Sequence, residues 1–575
     1  MTLKKGIRSR CSRVSMSAAI FTAPSVAPEG ECPSAEVRRR KLAVTDANTQ
    51  VDGDSLLTET SVTITTDSLN ARSAPCDLAP EEFRAIGHSL VDSIADFLRG
   101  LPGAPTATSL MPDSLRSVLG QRAMPEEGTD IAPVIEEFSK KFFEHSTHNG
   151  SPRFFGYITS SAAPVGMLAD LLAAAVNPNC GAWALSPIAT EIENETIRWL
   201  SKFMGLSGDW DGVLVSGGNM ANMVGFSAAR TAKAGWNIRE NGLTADDARR
   251  LVLYTSKETH TWVNKAADLG GLGTSAVRWI PTDDQLRMRV DLLEQSIAAD
   301  LVAGLAPFMV IGTAGTVGTG AIDLLPALAK ICKKYDLWFH VDGAYGAPAV
   351  ALDDATEDLK GLRLADSIAI DPHKWLYSPL EAGCILTRRP SALRDAFGFK
   401  PHYYQFDDNE GQEVKNYFEY GPQNSRGFRA LKIWLAFQQV GASGYRRMIG
   451  DDIALARRLY EMIDDYDTLE KGTSSLSITT FRYVPLDLRA SASDAAVLEY
   501  INGLNERIVT AVRLSGEAFV SNAFIGERFM LRACIVNFRT ALNDVATLPC
   551  LVTRIGDELD AKNRPSKLRP ASARG

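Results

Sequence analysis

The chain has 575 residues, 45% of them hydrophobic, which is too long for one ordinary core and supplies enough apolar material for two or three domains. A formal net charge of -8 offers no broad basic surface for nucleic acid, and no apolar run reaches the roughly 18 residues that a membrane span needs. Eight cysteines are scattered without a CxxC pair, which argues against a zinc site or a disulfide framework and suits a reducing, cytoplasmic setting.

Residues 1–76 are rich in Ser, Thr, Ala, Pro and charge and carry neither a helical nor a strand period, so they read as a disordered tail. Within them Lys4, Lys5, Arg8, Arg10 and Arg13 precede the first acid, Glu29, a weak likeness to an organelle transit peptide. The poor amphipathic pattern there favours a plain tail. Order begins where Pro80 opens a helix and Phe83, Ile86, Leu90, Ile94 and Leu98 recur at helical spacing, inside a helical segment at 77–150. The apolar face of that helix needs a cover from elsewhere.

Over 151–440, short apolar runs alternate with longer helical patterns: "GVLVSGG", "LVLYTS", "FMVIGTAG", "LWFHVDGAYG", "SIAIDPHKW" and "GCILTRR". Continuous rather than alternating apolar strands are buried on both faces, which predicts a mostly parallel sheet clothed by helices. A long helix at 425–441 leads into a smaller α+β domain at 441–562, with strands in "SLSITTFRYV" and "RFMLRACIVNF", and residues 563–575 read as a second tail. The fold class is α/β, a large mostly parallel sheet domain followed by a small α+β domain.

Ligands of open α/β sheets sit beyond the carboxyl ends of the strands, and Asp342, His373 and Lys374 fall at such ends. A lysine beside a buried strand becomes a nucleophilic amine when desolvation removes its proton, and a buried aspartate can partner a protonated ring nitrogen. Taken one at a time these two residues read equally well as a salt bridge at the sheet edge. Gly217-Gly218, after one strand and before a helix, suits a phosphate or simply a tight turn. His260 is placed to stack on a flat ring or to cap a helix, and Thr316 and Asp323 reach a cofactor or shape their own turn.

In this order and spacing, "SPRFFGYITSS", "SGGNMANM", "ETHTWVNKAADLGG", "GTAGTVGTGAID", "HVDGAYGA", "DPHKWLYSP" and "SRGFRALKIW" resemble the group II pyridoxal-phosphate amino-acid decarboxylases over about residues 78–560. The resemblance implies the fold of the PLP-dependent transferases, with Lys374 as the Schiff-base lysine and Asp342 as the acid that keeps the pyridine nitrogen protonated. It further implies His260 stacked on the ring, Ala344 on the opposite face, and Gly218, Asn219, Thr316 and His373 among the cofactor's neighbours. A mobile-loop tyrosine reprotonates the α-carbon in such enzymes; Tyr403, in the polar stretch 397–420, best matches it, with Tyr404 a close rival. Relatives with phenylalanine there tend toward oxidative deamination to an aldehyde.

Four positions depart from the pattern: Asn219-Met220 replaces a common Ser-Glu, Asp371 stands where animal aromatic decarboxylases have Asn, and Val317 replaces a threonine used near the substrate. Tyr157, Ile158, Thr159, Ser160 and Trp183 match the substrate-pocket segments, and the aromatic pair predicts an apolar wall for an indole or phenol. Arg532 matches an arginine that glutamate decarboxylases place on the substrate carboxylate, and equally fits a surface ion pair. An aromatic L-amino acid is the expected substrate, with glutamate, an aliphatic amino acid, or an aminotransferase or lyase reaction on the same fold as alternatives. A homodimer is expected from the family's shared site and from the apolar helix at 162–176.

Overall fold

The computed structural model describes residues 67, 70–72, 74–208, 210–246, 248–399 and 412–569. The predicted lid tyrosines, Tyr403 and Tyr404, and nearly all of the predicted N-terminal tail lie outside the described residues. From Pro75 onward the chain forms one compact unit organised around two sheets.

The larger sheet has seven strands: β1 (Asp211–Val215), β2 (Leu251–Ser256), β3 (Val277–Ile280), β4 (Ala306–Thr313), β5 (Trp338–Asp342), β6 (Ser367–Ile370) and β7 (Gly383–Thr387). Their order is β1-β7-β6-β5-β4-β2-β3, and β7 alone runs against its neighbours. All the other strands therefore end at one edge. Strands β2, β5, β6 and β7 are buried at every residue, the physical source of their unbroken apolar sequences. The edge strand β3, half-buried in its middle, escapes that pattern and was not predicted.

Helices cover both faces. Ahead of the sheet come α1 (Pro80–Gly100), α2 (Pro112–Leu119), α3 (Ile131–His145), α4 (Pro164–Val176) and α5 (Pro187–Phe203). Interleaved with the strands are α6 (Gly218–Lys233), α7 (Trp262–Leu269), α8 (Val290–Val302), α9 (Leu325–Tyr335) and α10 (Ser391–Phe397). A buried ion pair pins α5 to the sheet: Arg426 donates to Glu193 at 2.6 Å and to the carbonyls of Cys180 and Leu214. With the guanidinium's N–H groups used this way, each charge is partnered in an interior where a lone one would be costly.

The predicted long helix begins at Ala430, not 425, and continues as α11 to Met462 through a break at Gly441, whose φ of 67° and ψ of 165° are not helical. Beyond it lies a four-stranded antiparallel sheet, β10-β11-β9-β8, from β8 (Leu469–Ser475), β9 (Ile478–Tyr483), β10 (Ser521–Ile525) and β11 (Arg528–Cys534), backed by α12 (Ala495–Ser515) and α13 (Leu542–Asn563). A helical turn at Ser566–Leu568 carries order a few residues past the predicted end of this region.

The N-terminal helices are thinly covered. Helix α1 has no fully buried residue, and it meets α3 through stacked Phe97 and Phe143 rings 4.5 Å apart. Helix α4 leaves Leu168, Leu171, Leu172 and Val176 each more than half exposed. Among the described residues no helix is long and apolar enough to cross a membrane.

Candidate active site

The single reversed strand sets the site, because five predicted functional segments leave the same edge of the sheet. Gly217-Gly218 follow β1, His260 follows β2, Thr316 follows β4, Asp342 closes β5 and His373-Lys374 follow β6. In register, Asp342 pairs with Thr313 of β4 and Ala369 of β6, at the centre of that edge.

Asp342 is buried, yet no cation is paired with it among the described residues. Its Oδ2 accepts from the Trp262 indole at 2.7 Å and its Oδ1 from the Ala344 amide at 3.2 Å. The tryptophan is in turn held edge-on by His340, whose ring nitrogens meet Ser367 Oγ and Asn222 Oδ1, both at 2.7 Å. Complete burial pushes the His340 imidazole down to about 4, so it is neutral and braces the acid without a charge. Trp262 was not singled out in the sequence; a buried indole N–H two residues after His260 was the available signal, since such a group demands an acceptor.

The sheet-edge salt bridge between Asp342 and Lys374 is absent. Lys374 Nζ is instead 2.9 Å from Asp371 Oδ2, three residues earlier in the turn. His373 Nε2 is 3.6 Å from the same oxygen, its Nδ1 accepts from the Ala382 amide, and its carbonyl accepts from Ser160 Oγ at 2.8 Å. Ser160, a predicted substrate contact, thus uses its hydroxyl proton to hold the lysine turn. His260 stays open to the cleft. Partial desolvation lowers its pKa against the opposing pull of Asp342, which leaves a neutral ring at neutral pH. The Trp262 amide donates to its Nδ1, which places the ring proton on Nε2.

Gly217 takes a φ of 121°, which favours glycine, and a Cβ on it would lie 3.3 Å from His373 Cε1. A Cβ on Gly218 would lie 2.6 Å from Asp371 Oδ2 and 3.0 Å from the Ala344 methyl. The two glycines therefore leave a small cradle at the N-terminus of α6, where backbone amides and the helix dipole favour an anion. Asn219 is exposed on that first turn, and its side-chain amide donates to Met223 Sδ. Thr316 and Asp323 follow the plainer of their two readings. Thr316 Oγ1 bonds Thr319 and the Ala321 amide, and Asp323 accepts from the amides of Met288 and Thr313, so both shape the turn after β4.

The predicted pocket residues do not gather in one wall within the chain. The Tyr157 ring is 59% exposed and faces Phe519, while the Trp183 indole donates to Glu191 and its amide to Asn416. Arg532 is not a surface ion pair. It is 3% exposed, its Nε donates to Ser521 Oγ, its Nη1 to the Val317 carbonyl, and among the described residues it has no carboxylate partner.

These features fit pyridoxal phosphate: a lysine, a buried carboxylate with no cation paired to it among the described residues, a histidine open to the cleft and a glycine cradle at a helix N-terminus. Residues 112–477 match the pyridoxal-dependent decarboxylase conserved domain. The chain belongs to that family. An aromatic-L-amino-acid decarboxylase of Bacillus atrophaeus is 33% identical over 84% of this chain and 97% of its own length. A phenylacetaldehyde synthase of a Rosa hybrid cultivar is 30% identical over 80% of this chain and 90% of its own. Among solved structures, Oryza sativa TDC with PLP and tryptamine superposes with a TM-score of 0.78 at 26% identity, over 85% of this chain and 100% of that one. The protein is a PLP-dependent carboxy-lyase.

The lysine turn is also held from behind. Asp452 of α11 accepts from Tyr377 Oη at 2.7 Å and Trp375 Nε1 at 3.1 Å, and burial pushes its carboxyl up to about 7. An unfolded aspartate titrates near 3.9, so the folded decarboxylase keeps this proton longer than the unfolded chain does. That stability is full below about pH 4, declines as pH rises toward about 7, and then levels off. Asp452→Asn removes the decline. Urea midpoints measured from about pH 5 to 8 are expected to shift in favour of the variant as pH rises, by on the order of a few kcal/mol; parallel curves contradict the assignment.

Proposed function

We propose that this decarboxylase releases carbon dioxide from an aromatic L-amino acid to give the amine, with Lys374 as the residue that holds the cofactor's aldehyde and Asp342 as the partner of its ring nitrogen. The observation that carries the residue roles is the separation of the two charges: Lys374 belongs to Asp371, and Asp342 is left buried with only N–H donors. When bound, the cofactor supplies a cationic ring system that takes up the electron pair left at the α-carbon as carbon dioxide departs. Asp342, fixed by Trp262, favours the protonated form of that ring. His260, neutral and open to the cleft, stacks on it, and Ala344 packs against the other face. Gly218, Asn219 and His373 hold the phosphate end.

The relatives support an aromatic substrate: one is a decarboxylase of aromatic L-amino acids, and one structure holds tryptamine. Tyr157, Ser160 and Trp183 would line the substrate end, and Arg532, a buried cation without an acid, suits the substrate carboxylate. Glutamate would make the stronger use of that arginine, and it is the second reading. Carbon dioxide and amine release are to be measured across the twenty amino acids, with Lys374→Ala as control. Amine from tryptophan, tyrosine or dihydroxyphenylalanine is expected; a preference for glutamate overturns the substrate reading and keeps the residue roles.

Tyr403 is the residue proposed to return a proton to the α-carbon. Tyr403→Phe should redirect most of the product from amine to aldehyde, with oxygen consumed and ammonia and hydrogen peroxide formed, whereas Tyr404→Phe should leave amine dominant. The reverse result assigns the proton to Tyr404.

The active form is proposed to be a cytoplasmic homodimer. Support comes from the exposed apolar side chains of α1 and α4 and from the six free cysteines among the described residues. Light scattering is expected to give twice the chain mass, and Leu171→Glu with Leu172→Glu to give monomers. A wild-type monomer at micromolar concentration rules the dimer out.

A further inference from the structure

Asp371 opens the turn after β6, and its side chain is 3% exposed. One oxygen, Oδ2, holds Lys374 Nζ at 2.9 Å, while the other, Oδ1, is buried and has no hydrogen-bond partner among the described residues. The same carboxylate presses on the first residue of α6, since a Cβ on Gly218 would approach Oδ2 to 2.6 Å. A carboxylate is therefore parked beside the cradle that suits an anion, and without a proton it can only accept hydrogen bonds.

The charged neighbours make this arrangement one-sided. Lys374 and His373 lie on the same turn, and burial keeps His373 toward its neutral form. Glu381 acts on His373, and Asp342 and His260 act from the strands on the other side. The first turn of α6 contributes amides and no acidic side chain. Lysine 374 is thus the one full positive charge facing Asp371 among the described residues. On loading, its Nζ would bond to the cofactor's aldehyde carbon, two of the ammonium's protons leaving with the aldehyde oxygen as one water and the third staying on the nitrogen, and it would stop serving Asp371 as a free ammonium. A phosphate in the cradle adds like charge to the same small, water-poor volume.

We propose that Asp371 takes up one proton from solvent as the cofactor's phosphate enters the Gly217–Gly218 cradle, and that the protonated oxygen then donates a hydrogen bond to that phosphate. The inference rests on the phosphate placement proposed above and adds a chemical role for this chain's own residue. No other bond changes at Asp371: the proton converts an acceptor into a donor and removes a like charge. Cofactor loading is in this way coupled to pH.

Calorimetric titration of the cofactor-free protein with pyridoxal phosphate, in two buffers of different ionisation enthalpy, counts the protons bound. Wild type is expected to take up about one proton more than Asp371→Asn, whose amide is a permanent donor that needs no proton. Its affinity should also fall by up to about tenfold per pH unit relative to that variant between about pH 7.5 and 8.5. Asp371→Ala, with neither charge nor donor, should bind at least about tenfold more weakly than Asp371→Asn at both pH values. Equal proton counts in wild type and Asp371→Asn overturn the inference, as does an alanine variant that binds as tightly as the asparagine one. If both variants fail to fold, a wild-type affinity that is flat with pH overturns it as well. Failure of wild type to bind pyridoxal phosphate at all would overturn the underlying placement of the phosphate instead, so the two failures are distinct.

Discussion

Two buried carboxylates compete for one lysine, and the geometry of the turn after β6 decides between them. Asp371 and Lys374 are three residues apart on one turn, so their pairing costs no long-range rearrangement. Asp342 ends the neighbouring strand and must be satisfied otherwise, which it achieves with an indole and an amide. Hydrogen bonds from neutral donors stabilise an anion without cancelling its charge. The strand end therefore keeps a field that a protonated heterocycle can use, and the lysine stays within reach of the same space.

That division of charge depends on the sheet beneath it. Only because β7 alone is reversed do β1, β2, β4, β5 and β6 all end at one edge. The smaller sheet then locks the result in place. Tyr345, three residues past Asp342, stacks on Trp375, next to Lys374, with ring centroids 4.6 Å apart. Its hydroxyl also meets Ser477 Oγ at 2.7 Å, just before β9. A single aromatic pair so couples the acid's strand, the lysine's turn and the second sheet, and Asp452 secures the same turn from α11.

Much of this was legible in the sequence, for reasons that can be stated residue by residue. Strands β2, β4, β5, β6 and β7 announce themselves because burial on both faces demands unbroken apolar runs. The partners β8 and β10 were missed because one face of each is polar or open, as in the Ser521–Ile525 run, and a short run of that kind resembles a loop. Positions at strand ends follow from topology alone, hence His260, Asp342 and Lys374. Pairings do not: nothing in the sequence says that Lys374 chooses Asp371, or that the Asp342 donor is Trp262. Helix α1 shows the same limit. Its period predicted a helix, while the surface that would cover Phe83, 61% exposed, is not supplied by the described residues.

Arg532 completes the electrostatic picture. It lies on β11 of the small sheet, is buried with no acid paired to it among the described residues, and is tied by its Nη1 to the Val317 carbonyl in the loop that follows β4. Asp342 belongs to the large sheet, is buried without a cation, and accepts through its own carbonyl the amide of Ala314, at the start of that same loop. Burial lowers the arginine's affinity for its proton, so its charge raises the energy of the unliganded fold. They cannot cancel each other, because each is already oriented by hydrogen bonds on a different sheet. A ligand that carries a positive nitrogen toward one and an anion toward the other relieves both at once. The ligand proposed above, an amino acid joined to a protonated heterocycle, has that pattern of charge.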